Sequence, residues 1–408
     1  MTQATGILAP TRTGENRLIT GVCLAHLVSH YYMLLLAPLF VFVKTDYGVS
    51  YTELSLALTA FNVVSAVLQT PVGFLVDRIG ARINLISGLI LGSGAVAVAG
   101  LVDSFWVFVA MYAVLGLANT VYHPSDYTLL SEHVSPARMT RVFSFHTCSG
   151  MIGSAIAPVT LLFLQSTVGW RGAFVGSALI GVVAALVLAA QSEPSARAAE
   201  PRSKSKPVTQ ANPSIDGWQL LLSPPILLNL VFFFVLAMVG GGLNQFLVVG
   251  LGALHGTPPA LANTALTALL AMSAVGVLVG GVLAARTTRH NLVTAFGLLV
   301  TGAVSLMIGF LDPGALLLVL VISASGFATG ITLPSRDMIV RSVTPPGSFG
   351  KVFGFVSTGL HIGGIIAPLI FAQFLDHGQP RWVFLYVAAC ALVAVLTVGF
   401  GMPGRRTG

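Results

Sequence analysis

Residues 124–158, PSDYTLLSEHVSPARMTRVFSFHTCSGMIGSAIAP, return without a gap 210 positions later as residues 334–368, PSRDMIVRSVTPPGSFGKVFGFVSTGLHIGGIIAP. Eleven of the 35 positions are identical, among them Pro124 and Pro334, Ser125 and Ser335, Phe143 and Phe353, Phe145 and Phe355, Gly153 and Gly363, and Ala157-Pro158 and Ala367-Pro368. A weaker echo relates Gly73 and Arg78 to Gly281 and Arg286. Copies running in the same direction imply two halves of common origin, related by an axis along the membrane normal if the chain lies in a bilayer.

The rest of the chain says that it does. Only 8% of residues are charged and the mean hydropathy is +0.90, values that no soluble domain needs. A bilayer crossing takes roughly 20 apolar residues. Six such stretches, 18–43, 54–75, 83–101, 105–130, 142–164 and 172–188, precede a polar interval, and six more, 227–251, 261–284, 292–310, 316–340, 352–375 and 382–398, follow it. Residues 191–214 hold four prolines, four basic residues and no apolar run, the composition of a flexible linker. The fold expected is an all-α membrane protein with 12 transmembrane helices in two pseudo-symmetric six-helix bundles. Its parts are a tail at 1–17, a bundle at 18–190, a linker at 191–216, a bundle at 217–400 and a tail at 401–408.

Basic residues set orientation, because cytoplasmic loops retain Lys and Arg. With the N-terminus inside, sixteen Lys and Arg lie on the inner side, only Lys44, Arg171 and Arg381 on the outer side, and Arg336 within a span. Both ends are therefore expected in the cytoplasm, most simply at a bacterial inner membrane. The net charge of +7 is spread over these loops, so no nucleic-acid partner is implied. The first apolar run exceeds a signal-peptide core and no cleavage site follows it. Cys23, Cys148 and Cys390 show no disulfide or metal-ligand spacing. No phosphate-cradling glycine loop is present, which excludes ATP as the driver. No cofactor is expected, and no obligate protein partner, so the chain should work as a monomer.

The segment Gly73-Phe-Leu-Val-Asp77-Arg78-Ile-Gly80-Ala-Arg82 resembles the signature loop between spans two and three of the major facilitator superfamily. Within that superfamily, Val121-Tyr-His123-Pro124, His26 and Gly153-Ser-Ala-Ile-Ala157-Pro158 resemble the fosmidomycin-resistance-like branch. There the fourth span carries Phe-His-Pro-Glu and the first carries His followed four residues later by Asp. This chain has Ser125 in place of the Glu and His30 in place of the Asp. The resemblance implies that Asp77 meets the start of span eleven near residues 348–351, an acid against a helix N-terminus, and latches the cytoplasmic side. Gly73 and Gly80 would allow close approach and a tight turn. Arg78 and Arg82 either serve the latch or only follow the inside-positive rule. The resemblance also implies that spans one, four, seven and ten line a central cavity.

Ionisable groups at membrane depth cost at least roughly 2.5–3.5 kcal/mol each at a helix centre, so each is a functional candidate. They are His26, His30, His123, Asp126, His146, Arg336, Asp337 and His361. His26 and His30 share one helix face, as do His123 and Asp126. Because His titrates near neutrality, a carboxylate among such residues could load and release a proton. The alternative is that each His holds packing by a hydrogen bond to a neighbouring helix. At the repeat offset Asp126 corresponds to Arg336. Either the two pair across the axis as a gate, or Arg336 pairs with Asp337 or reaches the headgroups.

Pro124, Pro158, Pro334 and Pro368 would interrupt helical hydrogen bonding and give bending points. Gly240-Gly241-Gly242 offers a flexible stretch, and Asn244 and Gln245 after it are candidate substrate contacts; Tyr32 and Tyr122 are candidates for binding or for packing. The function expected is secondary active transport of a small organic solute by alternating access, coupled to protons; Gly153…Ala157-Pro158 resembles the fifth-span motif of antiporters, with Ala157 in place of its second Gly, and that resemblance implies an outward direction. The alternative is a proton symporter or uniporter importing an organic anion held by Arg336. A membrane-embedded enzyme would need a metal cluster or nucleophile constellation, and the scattered histidines lack such spacing. Internal symmetry with paired prolines suits rocking better than a fixed channel.

Overall fold

A computed structural model describes residues 12–191, 218–345 and 348–400; among these, the side chains of residues 12, 13, 70, 77, 136, 137, 140, 218, 349–351 and 400 lie outside the description. All regular structure among the described residues is helical. Helix α1 (Arg12–Met33), a short turn at Ala37–Leu39 and α2 (Phe40–Tyr47) make the first crossing. Then come α3 (Tyr51–Ile79), α4 (Ala81–Leu101), and the pair α5 (Phe105–Asn119) and α6 (Tyr122–His133), which together make the fourth. Helix α7 (Pro136–Ala189) carries the fifth and sixth crossings, and the short α8 (Trp218–Leu221) opens the second half. There α9 (Pro224–Gln245) and α10 (Leu247–His255) form the seventh crossing. The last five are α11 (Pro259–Arg286), α12 (His290–Phe310), α13 (Ala315–Ser342), α14 (Phe349–Asp376) and α15 (Arg381–Phe400).

Eleven of these helical stretches are long and apolar enough to cross a membrane. The twelfth crossing is hidden in α7, whose 54 residues would span about 80 Å at 1.5 Å per residue, far beyond the roughly 30 Å of a hydrocarbon core. The chain reverses at Gly169, where φ is 75° and ψ is 171°.

The two halves pack by the same rule. A Cβ at Gly153 would sit 2.1 Å from the Leu27 carbonyl oxygen, and one at Gly363 2.7 Å from that of Phe234. These repeated glycines let span five lie on span one and span eleven on span seven. A second pair at the same offset, outside the 35-residue match, does the same for spans four on two and ten on eight. There a Cβ at Gly116 would sit 2.4 Å from Phe61 O and one at Gly326 2.1 Å from Leu269 O. Small residues at such crossings are how membrane helices approach closely.

Two sequence expectations are corrected. The break in span four is not at its proline: Pro124 lies in the first turn of α6, where a missing N–H leaves no bond unmade, and the interruption precedes it at Thr120–Val121. Pro158, Pro334 and Pro368, in contrast, sit inside α7, α13 and α14. Gly240, Gly241 and Gly242 belong to the continuous helix α9, with Gly242 packed against Val387 and Phe371.

At the end carrying Lys44 and Arg381, called here the far end, the bundles are tied together. Both oxygens of Asp376, the last residue of α14, accept hydrogen bonds from the Tyr51 and Thr52 N–H groups at the start of α3, each 2.8 Å long. That start is also held by a capping box, in which Ser50 and Glu53 exchange bonds of 2.7 and 3.0 Å. Gln245 donates to the Met33 carbonyl at 3.2 Å, and the Phe40 and Phe246 rings meet at 5.5 Å. At the opposite, basic end Arg138 bonds Glu15 and Asn16. Gly80 makes the α3–α4 turn with φ 92° and ψ 140°, as expected of that position. Arg82 bonds the carbonyls of Leu188 and Ala189 at 3.0 and 3.3 Å, and that of Gln191, so it closes the end of α7. No described residue lies within 4 Å of a Cβ placed on Gly73, so the close approach expected there is not made to a described residue. The side chain of Asp77 and those of residues 349–351, the expected latch, lie outside the described residues, as do residues 192–217, the linker from 192 onward and the first residue of the second bundle, and the outer ends of the tails.

Candidate functional site

Between the tied far end and the basic end lies a cavity of about 430 Å³ walled by both bundles. Its lining is mostly aliphatic, with Met33, Leu243, Leu269 and Leu333 among the contributors. The polar groups facing it are few: His30 and Ser154 from the first half, Asn244, Ser273, Thr329 and Arg336 from the second. A larger space of about 800 Å³ between α7 and α11 shares Met151 with it and reaches Arg286, so the opening continues toward the basic end.

Behind the His30 wall stands a polar cluster drawn from three helices. Asp126 on α6 is fully buried, and His26 on α1 and His146 on α7 are 3% and 1% exposed. The Asp126 Oδ2 atom bonds His146 Nε2 at 2.9 Å and lies 3.3 Å from His26 Nδ1. The imidazoles of His26 and His146 stack with centroids 3.7 Å apart. His30 and His123 meet the edge of His26 at 4.7 and 5.2 Å, and His30 Nδ1 contacts the Ser154 hydroxyl at 3.4 Å. A Cβ at Gly150 would strike both His26 and His30 at 2.8 Å; its absence lets two rings lie against α7. Two buried polar atoms, His26 Nδ1 and Asp126 Oδ1, have no hydrogen-bond partner among the described residues.

The helical spacing of His26 with His30 and of His123 with Asp126 therefore reads through to a shared site, and His146, 20 residues from Asp126 in sequence, completes it. Sequence reading missed Tyr127, which stacks on His123 at 5.9 Å and reaches His146 at 5.6 Å. Its signal was available, since it falls one turn after His123 on the same face.

Other candidates stand elsewhere. Arg336 bonds Asp337 through Nε at 2.9 Å and Nη2 at 2.8 Å and lies over the Phe233 ring at 4.7 Å. Of the two readings of Arg336, the pair with Asp337 is the one formed in this conformation. Tyr32 is buried within the first bundle, its hydroxyl 3.0 Å from Ser93 Oγ and donating to Ser177 O at 3.2 Å. Tyr122 is likewise buried, 2% exposed, and neither tyrosine lines the cavity. Gln245 belongs to the far-end tie, whereas Asn244 faces the cavity. His361 sits half-buried on α14 in the other bundle. The three cysteines are free.

Comparison with known proteins agrees with this architecture. The profile of the Major Facilitator Superfamily matches residues 22–253 and 240–407. The chain is 23% identical to the fosmidomycin resistance protein of Escherichia coli (strain K12) over 403 residues, 93% of this chain and 92% of that one. It is 27% identical to a probable L-galactonate transporter of the same organism, over 35% of this chain and 32% of that protein. Among solved structures, a bacterial homolog of the human lysosomal transporter Spinster, inward-facing and unoccupied, superposes with a TM-score of 0.78 at 15% identity, covering 96% of this chain and 97% of that one. A nucleoside transporter superposes at 0.77 with 13% identity, covering 95% and 100%.

Proposed function

The chain belongs to the Major Facilitator Superfamily and is a multi-pass secondary transporter rather than an enzyme; from that premise we propose that it exports a small organic solute in exchange for protons. The observation that carries the proton is Asp126, fully buried, bonded to His146 and in contact with His26. A carboxylate at membrane depth is retained at a cost, and proton carriage is the role that His neighbours suit. His30 connects the cluster to the cavity. The solute occupies that cavity, its apolar part against the leucine and methionine walls and its polar part at Arg336 and Asn244. Protonation of Asp126 and binding of solute at Arg336 are then exclusive demands on the two bundles, and rocking about the cavity exchanges one for the other. Asp126 and Arg336 pair across the axis when the cavity opens at the far end and part when it closes there.

Export is supported by full-length similarity to a resistance protein. The concentration of basic residues on one side supports cytoplasmic termini in a bacterial inner membrane, and self-contained bundles support a monomer. A second reading, import of an organic anion, is favoured by Arg336 in the cavity wall, because guanidinium binds carboxylates well. Proton flux in proteoliposomes, screened with pooled organic anions and amphipathic drugs, tests both. Solute-triggered proton movement that disappears in Asp126→Asn supports the reading, and its sign separates exchange from co-transport. Solute flux with no proton movement, unchanged in the variant, overturns the coupling.

A further inference from the structure

We propose that His26, Asp126 and His146 form a binding site for one divalent transition-metal ion of the zinc class. His26, Asp126 and His146 each offer a ligand atom, a ring nitrogen or a carboxylate oxygen, and these atoms all lie within 4.8 Å of one another. Two imidazole nitrogens and a carboxylate oxygen are a donor set that zinc accepts, with bonds of about 2.0–2.2 Å. Donors around a tetrahedral ion at those bond lengths stand about 3.3 Å apart. The separations of 2.9 and 3.3 Å from Asp126 Oδ2 already approach that figure, so small side-chain rotations suffice.

A hydrogen-bonded cluster alone leaves two facts unexplained. His26 Nδ1 and Asp126 Oδ1 are buried without hydrogen-bond partners among the described residues, although buried polar atoms are nearly always paired. An ion at the ring edges, where His26 Nδ1 and His146 Nε2 face Asp126, would engage the nitrogen directly and would give the second carboxylate oxygen a ligand or a short electrostatic contact. It would also place two positive charges beside a lone carboxylate in a medium that penalises unpaired charge. The mixed nitrogen and oxygen donors select against magnesium and calcium, which prefer oxygen throughout.

The ligands come from α1, α6 and α7, so an ion fastens spans one, four and five to each other. All three ligand residues are 3% exposed or less, behind the cavity wall rather than in it, which fits a held ion and not a passing cargo. The rings of His30 and His123 flank His26 at 4.7 and 5.2 Å. Occupancy would take the atoms through which protons are exchanged and arrest transport. That consequence rests on the proton reading above; the binding does not.

The test is titration of tag-free, metal-stripped, full-length protein in detergent with Zn²⁺ by calorimetry, and with Co²⁺ followed by visible absorption. Wild type should bind one equivalent of either ion, with Co²⁺ developing ligand-field bands of nitrogen-ligated cobalt, and should not bind Mg²⁺. His26→Gln and His146→Gln should each weaken binding at least tenfold, while His361→Gln, in the other bundle, should bind as wild type does. Absence of stoichiometric binding to wild type, or binding undiminished in both ligand variants, overturns the site. The wild-type titration decides even if a variant fails to fold. Zinc added to proteoliposomes separates the two readings. Binding with arrested proton-coupled flux supports both, whereas binding with undiminished flux leaves the metal site standing and removes the coupling role from Asp126.

Discussion

In the first half, position 126 is a buried aspartate bonded to His146; at the matching position of the second half, 336, an arginine pairs with its own neighbour Asp337. The contrast continues around it. His123 corresponds to Leu333, a cavity-wall residue, and His146 to Val356, fully buried. Gly153 and Gly363, by comparison, do the same job in both halves, as do Gly116 and Gly326. Duplication thus preserved what lets helices cross and replaced what the crossing encloses. The first bundle holds a buried ionisable centre, while the second presents Arg336 to the cavity and, among the described residues, buries only neutral polar side chains such as Asn229, Asn263 and Thr301. Chemistry concentrated in one half, with a shared cavity between, is what a rocking transporter needs if one bundle is to sense a proton and both are to hold the solute.

The sharpest way to break this contrast is to give the first half the second half's neutrality. Asp126→Asn keeps the shape of the side chain and removes its ionisation. A buried ionised carboxylate is worth about 3 kcal/mol, roughly a hundredfold in an equilibrium constant, so concentrative transport should fall by that order. Solute counterflow, which needs no proton cycle, should persist. Counterflow lost to the same degree would mean that Asp126 serves the fold or the solute site instead. His146→Val, the residue found at 356, should reproduce most of the loss by leaving Asp126 without its hydrogen bond.

The shared crossings should respond alike. Gly153→Val and Gly363→Val each drive a side chain into the backbone of the partner helix, at Leu27 and Phe234. Overpacking costs about 1–3 kcal/mol, occasionally more, and thermal unfolding should register both. The first should be the more damaging, because its Cβ would stand 2.1 Å from a carbonyl oxygen against 2.6 Å from the Ala237 Cβ at the second. Equal wild-type melting of both variants would show that these crossings relax freely and that the repeated glycines are retained for another reason.

How much of this was legible in the sequence divides along the same line. The gapless repeat and the hydropathy gave twelve crossings and two halves, because both are periodic signals that burial in lipid enforces. The junction of spans five and six was legible as well: Gln165-Ser166-Thr167 and Arg171 interrupt the apolar run between 164 and 172, and the reversal falls among them at Gly169. The cluster was half legible. Residues one turn apart announced two faces, but only packing could show that His26, Asp126 and His146, from three helices, converge on one oxygen. Tyr32 and Gln245 misled because side-chain chemistry alone cannot say which face of a helix meets a neighbour. The first is spent within its own bundle and the second on the far-end tie.

The smallest expected effect tests the tie between halves. Asp376 ends α14 and caps α3, while Asp77, three residues from the end of α3 at Gly80, is expected by resemblance to cap α14 at the opposite face. Spans two and eleven run antiparallel, so the Asp376 cap and the cap expected of Asp77 would stand at opposite faces and would alternate as the bundles rock. A carboxylate at a helix N-terminus contributes about 0.3–1 kcal/mol when exposed. Asp376→Asn, which keeps an acceptor oxygen and discards the charge, should shift the conformational equilibrium by about two- to fivefold toward an open far end. Distances between spin labels at the far ends of α3 and α14 would report the shift. An unchanged distribution would mean that the aromatic contact of Phe40 with Phe246 and the Gln245 bond hold that face by themselves, and that the charge at 376 adds nothing to the closed state.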